Sequence, residues 1–179
     1  MQNLCNLVEE RNLDTFYKIL IAEASALPKF DSLTPKDEVL SIINSLPSTA
    51  QAMVIPLLPE KFSVNSTTKL INGNAGHSHS ITLPLVPQDA ALQELLDTFN
   101  NMTVVAFLTR VGHSHLYGTT AQPLLFTYDE MHATDKTGLK GYTLKMQGDT
   151  YGGGNYYAGK ESEFPVLNRG LAFQLAGKI

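Results

Sequence analysis

The chain has 179 residues, 43% of them hydrophobic and only 17% charged, with a net charge of −4. That length allows one domain with a substantial core, and the lack of a basic run excludes nucleic-acid binding through a phosphate-neutralising patch. The single cysteine, Cys5, excludes an internal disulfide and a cysteine-based zinc site. So little charge suits either a soluble domain rich in Ser, Thr and Asn or a surface that meets other subunits, because interface cores are depleted of charge. A reducing compartment is expected. Polar Gln2-Asn3 and early Glu9-Glu10 give no secretory leader pattern. Apolar runs such as Val104 to Leu108 are too short to span a membrane.

In chain order, the first 50 residues read as helical. Leu4, Leu7 and Val8, then Leu13, Phe16, Leu20 and Ile21, recur at three and four. Asp14 is a candidate cap, and Pro28 ends the segment. Thr34-Pro35-Lys36-Asp37-Glu38 reads as a helix start, with Thr34 as N-cap, Pro35 at the first position and acids in the first turn. Val39, Leu40, Ile42, Ile43 and Leu46 supply its apolar face. Pro47 stops it.

From about residue 50 the period becomes two. Ala52 to Ile55 is a short strand, and Phe62, Val64 and Leu70 punctuate a Ser/Thr-rich strand. Asn72 to Gly76 is a turn cluster. Residues 77–85 alternate, with Ile81, Leu83 and Leu85 continued backwards by His79 and His77, and Pro84 marks an edge or a strand end. Pro87 to Phe99 returns to helical spacing through Leu92, Leu95, Leu96 and Phe99. Strands are then expected at Met102–Leu108, His113–Tyr117, Leu124–Tyr128, Gly141–Gly148 and Leu171–Leu175. Asp135 to Gly138 is a loop, and Tyr151 to Tyr157 a flexible or extended loop. The expected class is α+β: an antiparallel β-sandwich or barrel over residues 51–179 packed by one helix, preceded by a helical segment over 1–50.

The sequence Gly-His-Ser-His occurs twice, at 76–79 and 112–115, and holds four of the five histidines. In a strand, residues i and i+2 share a face, so each copy presents two imidazoles side by side. His77, His79, His113 and His115 are therefore a candidate site for a divalent transition metal. The competing readings are strand ends with incidental histidines, or a subunit interface that responds to mild acid. No carboxylate lies within either copy. The nearest acids are Asp89 and Glu94, then Asp129 and Glu130. A cupin-type site would need a Glu after the pair, and none follows His79. Cys5 on an apolar stripe reads as buried. Gly152-Gly153-Gly154 lacks the strand-then-helix context of a phosphate loop. Asp129-Glu130 reads as a solvated rim, and the Gly/Tyr-rich stretch 151–159 as an adaptable contact loop.

One stretch carries a family pattern. It runs from Val104-Val105-Ala106-Phe107-Leu108-Thr109-Arg110 through Leu116-Tyr117-Gly118-Thr119 and Pro123-Leu124-Leu125-Phe126. It ends at Thr137-Gly138-Leu139-Lys140-Gly141-Tyr142-Thr143-Leu144-Lys145-Met146-Gln147-Gly148. Together with the preceding Leu-Pro-Leu-Val-Pro strand and the helix to Phe99, it resembles small tail-associated structural proteins of bacteriophages, as in phages of Bacteroidetes. The resemblance covers roughly residues 76–150. It implies a tail-tube-like or tail-completion fold: a β-sandwich with a flanking helix that assembles into rings. The first 50 residues depart from the pattern and read as a docking arm or an unrelated addition.

Three functions follow as expectations. The first is a virion structural protein of the tail or neck, not an enzyme, with no metal or other cofactor. Its partners would be itself and neighbouring tail or neck proteins, with DNA passing through its lumen and no membrane involved. Contacts would fall on Phe62–Leu70, Tyr151–Gly159 and the N-terminal helices. The second is a metal-dependent β-sandwich enzyme using the two His-x-His pairs. The third is a glycan- or host-binding module stacking sugars on Tyr151, Tyr156 and Tyr157.

Overall fold

The computed structural model describes residues 16–44, 50–57, 62–85, 90–110, 113–131, 141–151 and 155–158. These form β1 (Lys18–Glu23), α1 (Lys36–Asn44), β2 (Ala52–Pro56), β3 (Ser63–Ile71), β4 (Asn74–Leu85) and α2 (Ala90–Phe99). They continue with β5 (Thr103–Arg110), β6 (His113–Tyr117), β7 (Leu124–Met131), β8 (Gly141–Thr150) and β9 (Asn155–Ala158). The expected strand at Leu171–Leu175, the loop at Asp135–Gly138 and everything before Phe16 lie outside the described residues.

The helical reading of the N-terminal segment is corrected over its central part. Residues 18–23 are a strand, and β1 lies between β2 and β5 in the sheet. The cause is burial on both faces. Ile19 and Ile21 point into one apolar cluster, and Leu20 and Ala22 into another. A strand buried on both faces reads as a continuous apolar run, which periodicity cannot separate from a short helix. The helix expected after Thr34-Pro35 does form, with Val39 and Ile43 buried. Just before it, the Thr34 hydroxyl and N–H join a turn around Asp31, whose Oδ1 accepts from the Leu33 and Thr34 N–H groups at 2.9 and 3.1 Å.

Among the described residues, every strand pairing is antiparallel. β5 is the junction. One of its edges pairs with β1. The other is divided, with Thr103 and Val104 facing β7 and Ala106 to Arg110 facing β6. The one nine-stranded sheet forks there into two layers: β2-β1-β5-β6-β9 and the meander β7-β8-β4-β3. The space between them holds the main core, with Ile21, Met53 and Ala106 from the first layer and Ile81, Phe126 and Leu144 from the second. The far side of the first layer is covered by α1 and by Leu27 and Phe30. The result is a β-sandwich-like antiparallel arrangement with helices on its periphery.

Helix α2 turns Leu92, Leu96 and Phe99 into the main core. Its polar side is fastened to the meander, where the Tyr128 hydroxyl donates to the Asp97 carboxylate. That hydrogen bond, aided by burial and by Asp97 and Glu130 charge, pushes the Tyr128 pKa up to about 12 from an ordinary 10.0. A phenol whose folded pKa is raised favours folding fully below its unfolded pKa. The contribution is lost as pH rises from about 10 through about 12. Tyr128→Phe is expected to flatten the fall in stability across that window. Urea melts at pH 9 and pH 11 check this, and equal losses in both proteins would refute it.

Hairpin β3–β4 turns through Asn72 and Gly73, with φ of 50° and 81°. Two residues with positive φ make a type I′ turn, whose twist suits a hairpin. The expected five-residue turn cluster is thus a two-residue turn, and Asn74 to Gly76 already belong to β4. Pro84 sits one residue before the end of β4, where β3 no longer runs alongside, since the last β3 pairing is Ser63 with Thr82. Its missing N–H leaves no ladder position empty on that side.

Candidate functional site: a histidine cluster between the sheets and an open sheet edge

The two Gly-His-Ser-His copies meet across the sandwich. Alternation along β4 turns His77 and His79 inward and Ser78 outward. The two imidazoles stack nearly parallel, with centroids 6.1 Å apart. From the opposite sheet, β6 brings Tyr117 edge-on to His79 at 5.3 Å, and His115 lies stacked on Tyr117 at 6.2 Å. Phe16 closes the row edge-on to His115 at 5.4 Å and in turn meets Phe62. His113 is the first residue of β6, opposite Arg110 in register, and its side chain lies outside the described residues.

His79 is 2% exposed, and its Nε2 lies 2.7 Å from the Thr150 hydroxyl. A hydroxyl both donates and accepts, so this contact suits either tautomer of the ring. Arg110 has only donors to offer. Its Nη2 lies 3.4 Å from His115 Nε2, which assigns Nε2 as an acceptor and places the ring proton of a neutral His115 on Nδ1. The guanidinium also rests over Phe16, 5.4 Å from the ring centre. Burial pushes the Tyr117 hydroxyl pKa up, partly offset by the Arg110 charge.

Tyr117 stands between the histidines of the two copies, so His79 and His115 do not converge on a shared point. Among the described residues, no group of three or more His, Cys, Asp and Glu is placed to hold a metal ion. The acids considered from sequence lie elsewhere. Asp129 pairs with Lys145 at 2.5 Å, and Glu130, on the opposite face of β7, accepts from Gln93 at 3.3 Å. Glu94 is exposed on α2, where its carbonyl accepts from the Thr98 hydroxyl. Asp89, Cys5 and Gly152 to Gly154 lie outside the described residues. Sequence reasoning missed Arg110, Thr150, Phe16 and Tyr117. Only Tyr117 carried a local signal, being two residues beyond His115.

The expected loop at Tyr151–Tyr157 is corrected in its second half. Residues 155–158 form β9, paired to β6 from His113 to Leu116. Tyr151 remains half-exposed, and its N–H donates to Gln122 Oε1 at 2.8 Å. A separate cleft of about 480 Å³ opens between Lys29–Thr34 and Thr120–Ala121, and no histidine lines it.

The second feature is the meander's outer strand. Among the described residues β3 pairs with β4 alone, and seven of its nine residues are exposed. Leu70, near its tip, is 77% exposed. The outer face of the meander is built from hydroxyl and amide side chains, and its charges neutralise one another. Lys69 binds Asp149 at 2.6 Å, as Lys145 binds Asp129. The Lys69 contact, with a hydrogen bond from Ser78, holds the Asp149 carboxyl below its usual pKa. Among the described residues, no helix is long and apolar enough to cross a membrane. In comparisons with protein-family models, curated proteins and solved structures, the chain matches none.

Proposed function

We propose that this chain is a structural subunit of a bacteriophage virion, a ring-forming component of the tail or tail-neck region that works by self-assembly. The observation that carries the reading is the β3 edge. It is long, exposed and almost uncharged, a template for pairing with another chain. The resemblance over residues 76–150 supplies the virion context. The sandwich with α2 packed against it agrees with the architecture that resemblance implies. The self-neutralised outer face of the meander suits a wall past which DNA slides without sticking. The strand β1 replaces the expected docking helices at 18–23, and its burial removes it from the contact surfaces.

Mass photometry of the purified protein, with metal analysis on the same sample, tests the reading. Rings or tubes without stoichiometric metal are expected. A protein that stays monomeric at high concentration and joins no virion overturns it. The same sample tests the alternative, metal-dependent chemistry on the two His-x-His pairs, against which stands Tyr117 between His79 and His115. A monomer holding one tightly bound transition metal would establish that reading instead.

A further inference from the structure

We propose that the β3 edge pairs with the β3 edge of a second copy, antiparallel, about a two-fold axis through Thr67. This rests on the reading of that edge as an assembly surface, and it adds which surface meets it and in what register.

Exposed edges are normally blunted by shortness, proline, bulges or charge. Strand β2 follows that rule, with five residues ending in Pro56. β3 does not. It has nine residues and no proline, and its register with β4 is unbroken from Ser63↔Thr82 to Ile71↔Asn74. Its one charge, Lys69, is already bound to Asp149 of the same sheet.

The hairpin fixes which backbone groups are free. A two-residue turn at Asn72-Gly73 makes Ile71 and Asn74 the closing hydrogen-bonded pair. Odd-numbered residues of β3 therefore direct their N–H and C=O groups at β4. Those of Val64, Ser66, Thr68 and Leu70 point to the open side. An antiparallel twin centred on Thr67 sets Val64 against Leu70 and Ser66 against Thr68, open groups facing open groups. A slip of one residue sets open groups against occupied ones. A slip of two shortens the overlap and separates Val64 from Leu70.

The side chains agree with the same register. Leu70 and Val64 lie on the sandwich-facing side of β3, where Val64 already packs on the core. Pairing brings them together twice and covers Leu70, which is 77% exposed in the single chain. On the outer face Asn65 meets Lys69, and the two lysines stay apart. A parallel, in-register pairing would set Lys69 beside Lys69, a like-charge contact. A two-fold contact joins copies in pairs, so closing a ring would need a second surface. Among the described residues, the outer edges of β2 and β9 remain for it.

The test uses the full chain with Cys5→Ser and a new cysteine. Thr67 would face its own copy in a non-hydrogen-bonded pair with Cα atoms about 4.5 Å apart, within disulfide range. Thr67→Cys is expected to run mostly as a covalent dimer on non-reducing gels after mild oxidation. Asn65→Cys would sit roughly 13 Å from its twin, four residues out of step, and is expected to stay monomeric on the gel. Ser66→Pro removes an open-side N–H without touching the β4 ladder and is expected to weaken association at least tenfold in sedimentation velocity. Assembly with no cross-link at 67, or with equal cross-linking at 65 and 67, overturns this register while leaving self-assembly standing. A monomer at every concentration overturns both.

Discussion

Phe126→Ala is expected to destabilise the protein by about 3–5 kcal/mol, the range for emptying a buried aromatic site. For a chain of this size that lowers Tm by about 10 °C. Phe126 is fully buried and packs against Phe99 of α2, with ring centres 5.9 Å apart. Its backbone is committed as well. The Phe126 N–H donates to the Met102 carbonyl, and its own carbonyl accepts from Asn101, both at 2.9 Å. The residue therefore locks the α2–β5 connection to the meander through side chain and main chain together. Those hydrogen bonds hold the surrounding walls in place, so the cavity has little freedom to collapse. Urea denaturation should show a lower midpoint at unchanged m-value. A loss below about 1.5 kcal/mol, the scale of a volume-conserving swap, would mean that the site relaxes after all.

Gly118→Val is the second large effect, at roughly 2–5 kcal/mol from left-handed strain and overpacking combined. Gly118 has φ of 79°, a conformation that β-branched residues avoid. A Cβ there would also lie 3.1 Å from Leu124 Cγ and 3.3 Å from the Leu124 backbone nitrogen. Leu124 is itself fully buried and sits where β7 leaves β5. Gly73 is the internal control. Its φ is 81°, yet nothing lies within 4 Å of a Cβ placed there. Gly73→Asn should therefore cost little, since asparagine tolerates the left-handed region. Thermal melts of Gly118→Val and Gly73→Val, the same side chain at two positive φ angles, separate backbone strain from crowding. Equal losses would show that crowding at Leu124 contributes nothing.

Where a segment buries one face, its sequence and its structure agree. Residues 77–85 and 141–148 alternate and form strands β4 and β8. Leu92, Leu96 and Phe99 recur at helical spacing and line the buried side of α2. Agreement fails where local pattern carries no face. Lys18–Glu23 buries both sides, so its apolar run imitates part of a helix. β9 lies in a Gly/Tyr-rich segment with no alternation to mark it. The candidate site divides in the same way. Strand alternation anticipates that His77 and His79 lie side by side, because that geometry is local. Nothing in the residues of β4 announces that Tyr117 of β6 stands opposite. Sheet-on-sheet packing makes that contact, with Arg110 arriving from a third strand. The openness of β3 is visible in its Ser/Thr-rich sequence, but its usable register depends on the φ angles of Asn72 and Gly73.

The position of β1 beside β5 has a consequence for synthesis. Their paired residues, from Glu23↔Val104 to Lys18↔Thr109, are 81 to 91 positions apart in the chain. β1 can form a hairpin with β2 soon after both emerge from the ribosome, but its other edge has no partner until residue 110 has been made. At about 5–20 residues per second, that gap is on the order of 4–18 s. Throughout it, Ile19-Leu20-Ile21 is a sticky strand with one unsatisfied side, and pairing so distant in sequence is slow to form. The nascent chain is thus most exposed to aggregation between the synthesis of β1 and that of β5. A chaperone that shields β1 during that interval would raise the yield of folded protein more than one acting after release.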